Sequence, residues 1–351
     1  MDSLKRIVAA CFAVLFVITA ILALIFFNFD RRAFTSETYQ QAFLKEGFYN
    51  RLPGVLAQVM TGTSIEEGEL PIGMRGMSPR AWEAFFKVML PEETLVAMGN
   101  EALNSIFAYL NMESDSAQMS LQPLKRSMTG PAGVEAVYSL LNAQPDCTLL
   151  QVAQMTINLI TAQDMQFCKP PPELHPLLTP VIEAQMEVTA FVLPDEVTFA
   201  SAQGVSPEND PRVRLQNART LMRLTPLVPL GLLLALTLLA VHSLKSWLDW
   251  WGVPFLATGL SATLISLGGA PVIGGLLRQF ITQRAGTYLP EVLTDYASDL
   301  ASAMTQAIMR PVLIQGLVLA FLGLIMILVS KYMIHKPVSK IGGPSEENTI
   351  V

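Results

Sequence analysis

Four long apolar segments, separated by polar stretches, dominate the pattern of this 351-residue chain. They are residues 7–29, 224–244, 253–277 and 312–332. A helix needs roughly 20 apolar residues to cross about 30 Å of hydrocarbon, and each segment meets that length. The pattern therefore predicts four transmembrane helices. The composition agrees, because only 15% of the residues are charged, against about a quarter in a typical soluble domain.

The first apolar segment predicts an uncleaved signal anchor over residues 1–29. Its uncharged run is longer than the core of about 7–15 residues of a cleavable signal peptide, which is the alternative interpretation. The run also ends in bulky Ile25, Phe26 and Phe27 rather than in small residues. The sequence VAAC at residues 8–11 is similar to a lipoprotein cleavage box, but it precedes the apolar run instead of following it.

The orientation prediction follows from the basic residues that flank the spans. If the chain crosses the membrane four times, one side of the membrane carries six basic residues that flank the spans: Lys5, Arg6, Lys245, Lys331, Lys336 and Lys340. Four basic residues lie on the other side of the membrane and argue against this orientation: Arg31, Arg32, Arg219 and Arg223. The larger set predicts that both termini are cytoplasmic and that residues 30–222 are extracytoplasmic. The polar tail, residues 336–351, is expected to be disordered.

Residues 30–222 have the pattern of a helical domain. Predicted helices begin at Ser78–Pro79, Leu90–Glu93, Gly130–Pro131, Leu149 and Pro176. Serine accepts hydrogen bonds from free backbone amides at a helix start, and proline is tolerated in the first turn. Residues 196–200 predict a short extended segment. No segment alternates apolar and polar residues for long enough to require a sheet. The predicted fold is mainly α, with four transmembrane helices and an α-helical extracytoplasmic domain.

Residues 223–335 are expected to form a membrane domain that contains the last three spans. Within it, residues 278–311 have a helical pattern and predict a hairpin or re-entrant arm outside the membrane, packed under the large domain. Residues 211–223 predict a helix that runs directly into the second span.

Two of the three cysteines, Cys147 and Cys168, lie in the predicted extracytoplasmic domain. They bracket a helix-length segment, and an oxidising compartment favours their pairing. We therefore predict a disulfide; two buried free thiols are the alternative. A redox-active pair is disfavoured, because the short spacing and the cationic neighbours that lower a thiol pKa are missing.

Two features of the third span carry structural predictions. Ser266, Ala270 and Gly274 repeat small residues at the spacing that allows helices to approach closely. Residues 268–271 (GGAP) can kink or break the helix, which leaves a re-entrant or gating element as the alternative. Before the span, we expect Trp247, Trp250 and Trp251 at the membrane interface, where indole rings are enriched. A binding site lined by these tryptophans is the alternative.

The search for catalytic chemistry finds no nucleophile elbow, phosphate loop, dinucleotide fingerprint or metal-spaced Cys/His pairs. His175 near Glu173 is a weak pair that is typical of a solvated loop. Glu183 and Glu187 share a helix face and are typical of surface charge, although paired carboxylates can serve acid–base chemistry or bind a cation. The sequence thus predicts no enzyme and no cofactor. A net charge of −6 disfavours nucleic acid as a partner.

Several stretches resemble a group of uncharacterised bacterial multi-pass membrane proteins. They are FYNRLPGVL (48–56), LPEETL (90–95), CKPPPE (168–173), VLPDEV (192–197) and LKSWLDWWGVPFLATGL (244–260). The resemblance implies one N-terminal anchor, a helical extracytoplasmic domain and three C-terminal spans, and it implies no activity.

Two functional hypotheses follow. The first is a non-enzymatic envelope protein whose extracytoplasmic domain binds a protein partner or a ligand. The alternative is a transporter or channel component, with a gate built from the third span and the 278–311 arm. The expected surroundings are the lipid bilayer and a partner outside the cytoplasm; the sequence does not define an oligomeric state.

Overall fold

The computed structural model describes residues 3–62, 77–161, 167–206, 208–285 and 291–332. The protein is mainly α-helical, as the sequence predicts. The helices are α1 (Ser3–Ala33), α2 (Ser36–Lys45), α3 (Phe48–Gly62), α4 (Pro79–Met89), α5 (Glu92–Leu110), α6 (Gln122–Thr129), α7 (Pro131–Asn142), α8 (Leu149–Thr161), α9 (His175–Val192), α10 (Pro211–Leu224), α11 (Leu227–Ala240), α12 (Leu244–Ala285) and α13 (Glu291–Tyr332). The strands are β1 (Ser116–Ser120) and β2 (Glu196–Ser201).

Four helical stretches are long and apolar enough to cross a membrane. They are Lys5–Ala33, Pro211–Ala240, Leu244–Ile273 and Leu293–Tyr332. Many of their apolar side chains face outward, with Leu238 78% and Phe321 64% exposed. Such exposure suits a hydrocarbon solvent, so the four spans indicate a multi-pass membrane protein.

The chain divides into two compact units. The membrane unit comprises Met1–Asn28, Leu221–Leu267 and Arg310–Val351. The helical domain comprises Phe29–Thr220 and Gly268–Met309. The structure thus groups residues 268–309 with the helical domain, whereas the sequence pattern favoured their assignment to the membrane domain.

In the membrane unit, α1 and α11 pack through small and branched side chains. Ala9, Leu236 and Ala240 are almost fully buried, and the indole of Trp250 packs against them. The next residue of α12, Trp251, donates a hydrogen bond from Nε1 to Thr237 Oγ1 at 3.1 Å. The tryptophans therefore lie on the first turns of α12 and not in a link between spans.

Two glycine pairs bring α12 and α13 into backbone contact. A Cβ atom added to Gly259 would lie 2.2 Å from the backbone nitrogen of Ala320, and one added to Gly323 would lie 2.4 Å from that of Leu256. The two pairs are Gly252 with Gly323 and Gly259 with Gly316. Because seven residues make about two helical turns, the pairs repeat along one seam of two antiparallel helices.

An amide pair also joins α1 to α13 within the membrane unit. Asn28 Nδ2 donates to Gln315 Oε1 at 2.7 Å, and Gln315 Nε2 returns a longer bond to Asn28 Oδ1 at 3.4 Å. Asn28 is only 5% exposed. Reciprocal hydrogen bonding satisfies two polar groups that would otherwise be costly in an apolar bundle.

The predicted helix starts in the helical domain are confirmed. Ser78 caps α4 by accepting a hydrogen bond from the Ala81 amide, and Pro91 precedes α5, whose first turn holds Glu92 and Glu93. Acidic side chains there face the positive end of the helix dipole. Gly130 precedes α7, which begins at Pro131.

A two-stranded sheet, which the sequence did not require, packs against α5 in the helical domain. β2 corresponds to the predicted extended piece, and β1 pairs with it antiparallel in the register Ser116↔Ser201 to Ser120↔Glu196. A bulge lies between Ala117 and Gln118. The sequence of β1, SAQMS, lacks the β-branched and aromatic residues by which strands are recognised.

Residues 291–309 of α13 pack on α2, α3 and α5 in the core of the helical domain. Ala303 is buried with Phe43 and Tyr49. Tyr296 stacks on Phe48 with ring centroids 4.7 Å apart and donates its hydroxyl to the Phe48 carbonyl at 2.8 Å. This half of the predicted arm is therefore part of the domain's hydrophobic core.

Side chains of α10 cap the carboxyl end of α5. Arg212 donates to the Tyr109 carbonyl at 3.5 Å, and Gln216 donates to the Leu110 carbonyl at 3.2 Å. These donors satisfy carbonyl groups that a helix end leaves without partners. Asp210 accepts two bonds from Arg212, and this guanidinium lowers the pKa of the Asp210 carboxyl.

Two helix boundaries differ from the expectation at the membrane. The helix expected to run unbroken from residue 211 into the second span is divided, because α10 ends at Leu224 and α11 begins at Leu227 after Pro226. In contrast, α12 continues without a break through residues 268–271. The break considered there is not observed.

Candidate functional site

The disulfide predicted between Cys147 and Cys168 is formed, with a Cα–Cα distance of 5.1 Å. Around it, the backbone amide of Cys147 donates to the Lys169 carbonyl at 2.9 Å, and the Lys169 amide donates to the Pro145 carbonyl at 2.8 Å. Both sulfurs belong to a core that includes Leu141 and Ile182. The bridge thus holds the entrance of α8 beside the segment that leads into α9.

Removal of the disulfide is expected to lower the free energy of unfolding by roughly 3 kcal/mol, because the bridge closes a loop of 21 residues. The variant is the double replacement Cys147→Ser and Cys168→Ser, measured by chemical unfolding in detergent. A reductant should reproduce the loss in the wild-type chain and leave the double variant unchanged. Cys11→Ala, at the free cysteine, is the control. Equal stability with and without the bridge would contradict the prediction.

A groove of about 460 Å³ lies between α7 and α9, next to this disulfide core. Its floor includes Val134 and Tyr138 of α7, and its other wall is formed by residues of α9. His175, Thr179 and Glu183 follow one another at four-residue intervals, so α9 presents them on one face.

Two rings and a hydroxyl are fixed at the centre of the groove. The Tyr138 and His175 rings stack with centroids 4.4 Å apart. Tyr138 donates its hydroxyl to the His175 carbonyl at 3.0 Å and lies 3.0 Å from Thr179 Oγ1. His175 Nε2 is buried and has no hydrogen-bond partner among the residues that the structure describes. Glu173, the neighbour considered from the sequence, does not line the groove.

Two carboxylates complete the lining. Glu135 projects from α7 and Glu183 from α9, and both are exposed. Over the described ranges, neither forms an ion pair with a lysine, arginine or histidine. The groove therefore combines negative charge with an aromatic stack. Within the same ranges, no cluster of three His, Cys, Asp or Glu side chains is arranged to hold a metal ion.

The outer face of α9 is unusually apolar towards its carboxyl end. Phe191 is 87% exposed, Val192 77% and Val188 58%. Glu183, Glu187 and Phe191 lie one turn apart on this face. We call Val188, Phe191 and Val192 the α9 patch. Single exposed apolar residues are ordinary, but a contiguous cluster with an aromatic side chain is typical of an interaction surface.

A second groove, of about 360 Å³, lies between α2, α3 and α13 and is polar. Its charged side chains form ion pairs. Arg51 contacts Asp299 at 3.1 Å and lies over the Tyr296 ring at 5.5 Å, and Glu46 contacts Lys45 at 3.7 Å. Internal pairing leaves this groove less free charge than the groove between α7 and α9.

The other residues singled out from the sequence lie in or beside the membrane spans. Trp247 and Trp251 have ring centroids 5.0 Å apart, and Trp251 continues to Phe255 at 5.7 Å. Ser266 is buried at 7% exposure. The side chains of Ala270 and Gly274 lie outside the described part of the chain. Among the described side chains, α12 packs closely on α13 at Gly252 and Gly259.

The sequence pointed to one wall of the groove only. It drew attention to His175 and to Glu183, but as separate weak features. Glu135 and Tyr138 were not identified, because no local pattern places α7 opposite α9; their i, i+3 spacing on a predicted helix was the sole signal.

No family model matches the chain, and no curated protein or solved structure is significantly similar to it. The class that fold and sequence define is therefore a multi-pass membrane protein with a disulfide-bonded helical domain.

Proposed function

We propose that this protein is a non-enzymatic envelope protein whose helical domain lies outside the cytoplasm and binds a protein partner through α9. The observation that carries the proposal is the α9 patch, where Phe191 is 87% exposed. An aromatic side chain in water gains free energy when a partner buries it, and aromatic anchors dominate many protein interfaces.

The disulfide supports the extracytoplasmic location. Structural disulfides persist in oxidising compartments and are rare in the cytosol. The basic residues at the other ends of the spans support the same orientation, with both termini in the cytoplasm. The acidic balance of residues 28–222, with 22 acidic and 13 basic side chains, favours a partner that is basic around its apolar contact.

Photocrosslinking from the α9 patch tests location and partner together. In a Cys11→Ala background, Val192→Cys is treated on intact cells with a membrane-impermeant maleimide that carries a photoreactive group. We expect labelling without permeabilisation, followed by light-dependent capture of a defined protein. Phe191→Ser in the same chain should reduce capture about tenfold or more, as loss of an interface hot spot does, while stability is preserved because the side chain is exposed.

The matched control is Glu93→Cys, an exposed position on α5 of the same domain. It should be labelled equally but should not capture the same protein. Labelling at residue 192 only after permeabilisation would contradict the extracytoplasmic location. Equal capture from residues 93 and 192, or capture unaffected by Phe191→Ser, would contradict α9 as the binding surface.

Transport is the alternative function. It would use α12 and residues 278–311 as a gate, and ion flux in reconstituted vesicles measures it. Robust and specific flux would replace the binding proposal.

A further inference from the structure

We infer that the groove between α7 and α9 holds an arginine side chain that the partner presents. The inference rests on the proposed function and deepens it, since it assigns a chemical class to one contact of the partner. It depends on three observations in the helical domain: the stacked rings, the two carboxylates and the volume of the groove.

The negative charge of the groove favours a cationic ligand. Glu135 and Glu183 stand on opposite walls, and neither is joined to a basic side chain over the described ranges. A cation in the groove meets carboxylates from both helices, and charge-assisted contacts are shorter and stronger than neutral hydrogen bonds. The surrounding domain is acidic as well, so its field attracts such a group.

The aromatic stack distinguishes guanidinium from other cations. The Tyr138 and His175 rings stack on each other with centroids 4.4 Å apart, which leaves one face of each ring for a further planar group, and the Tyr138 hydroxyl is fixed by the His175 carbonyl. A planar guanidinium stacks on aromatic faces, and its five N–H donors can reach a carboxylate in a bidentate manner. A lysine ammonium is a compact point charge that gains less from a flat ring.

The size of the groove fits the same ligand. A volume of about 460 Å³ is large enough for one arginine side chain.

The α9 patch and the groove share one helix, which relates the two contacts. Thr179 and Glu183 line the groove, and Phe191 lies two turns beyond Glu183 on α9. A partner segment that buries Phe191 can therefore place a neighbouring arginine in the groove, about 12 Å along the helix axis.

The test uses the full chain in lipid nanodiscs, with ¹⁵N-labelled histidine and N-acetyl-arginine amide as the probe. The chain has only three histidines, and His175→Asn identifies the His175 signals. We expect a saturable shift of the His175 ring nitrogens and no saturable shift at His242 or His335. N-acetyl-citrulline amide, the neutral isostere, should produce no saturable shift.

Two matched variants of α9 test whether the Glu183 carboxylate binds the arginine probe. Glu183→Gln should weaken probe binding about tenfold or more, since it removes a charge-assisted contact. Glu187→Gln, one turn along and outside the groove lining, should leave binding within about twofold, because an exposed charge there contributes little. Equal binding of the citrulline and arginine probes, or equal effects of the two variants, would overturn the inference.

Crosslinking from Val192→Cys separates this inference from the proposed function. If the partner is still captured in a Glu183→Gln chain and the arginine probe does not bind, the groove inference is wrong and the binding surface stands. If the probe binds as expected but no partner is captured through α9, the groove is an arginine site and the proposed function is wrong.

Discussion

Replacement of Arg219 by methionine is expected to lower the free energy of unfolding by about 3–5 kcal/mol, the range for breaking a buried ion pair. Arg219 Nε donates to Asp30 Oδ1 at 2.8 Å, and the guanidinium also contacts Asn111 and lies over the Phe34 ring at 4.5 Å. The two charged side chains are 8% and 3% exposed. The variant leaves the Asp30 carboxylate buried without this cation, and desolvation of a charge is costly.

The measurement is chemical unfolding in detergent for Arg219→Met, Asp30→Asn and the double variant. We expect the double variant to be more stable than the sum of the single losses implies, because the two side chains are coupled. Arg51→Met is the control, since its ion pair with Asp299 at 3.1 Å is 46% and 60% exposed. That change should cost less than about 1 kcal/mol. Similar losses for Arg51→Met and Arg219→Met would contradict the prediction.

The ion pair illustrates what the sequence could and could not predict. Arg219 and Asp30 were visible only as charges near the ends of spans, and Arg219 counted against the preferred orientation. Their pairing needs α10 to approach the end of α1, and 189 positions separate the two residues. Flanking charge is a local signal, whereas the energetic role of a charge depends on which distant element neutralises it.

Features set by local chemistry were predicted well. The starts of α4, α5 and α7 follow from Ser78–Pro79, Leu90–Glu93 and Gly130–Pro131, where capping and proline geometry act within one turn. The four spans follow from length and hydropathy alone. The Cys147–Cys168 bridge was also predicted, because just two cysteines lie in the large domain.

Features set by tertiary packing were not predicted. β1 forms because β2 and α5 lie beside it, and its own residues do not favour a strand. The groove required the positions of two helices rather than a motif. In the membrane unit, the close approach of α12 to α13 uses Gly252 and Gly259, which the sequence did not single out, because small residues mark a contact only where another helix faces them.

Gly259 is the position where we expect a single added side chain to disrupt the membrane unit most. A Cβ atom there would lie 2.2 Å from the Ala320 nitrogen and 2.5 Å from the Gly316 carbonyl oxygen. Both contacts are to backbone, so no side-chain rotation relieves them and α12 must separate from α13. Overpacking typically costs 1–3 kcal/mol. We expect Gly259→Leu to cost about 3 kcal/mol or more, because separation also weakens the Gly252–Gly323 contact.

Gly231→Leu is the matched control for Gly259→Leu. Gly231 lies in α11, another membrane helix, and nothing lies within 4 Å of its added Cβ atom. The same change of residue there should be close to neutral, since leucine suits a lipid-facing position. Unfolding of both variants in mixed micelles, followed by tryptophan fluorescence, measures the difference. Equal stability of the two variants would mean that the glycine seam does not hold α12 against α13, and that α1 and α11 supply the packing free energy of the bundle.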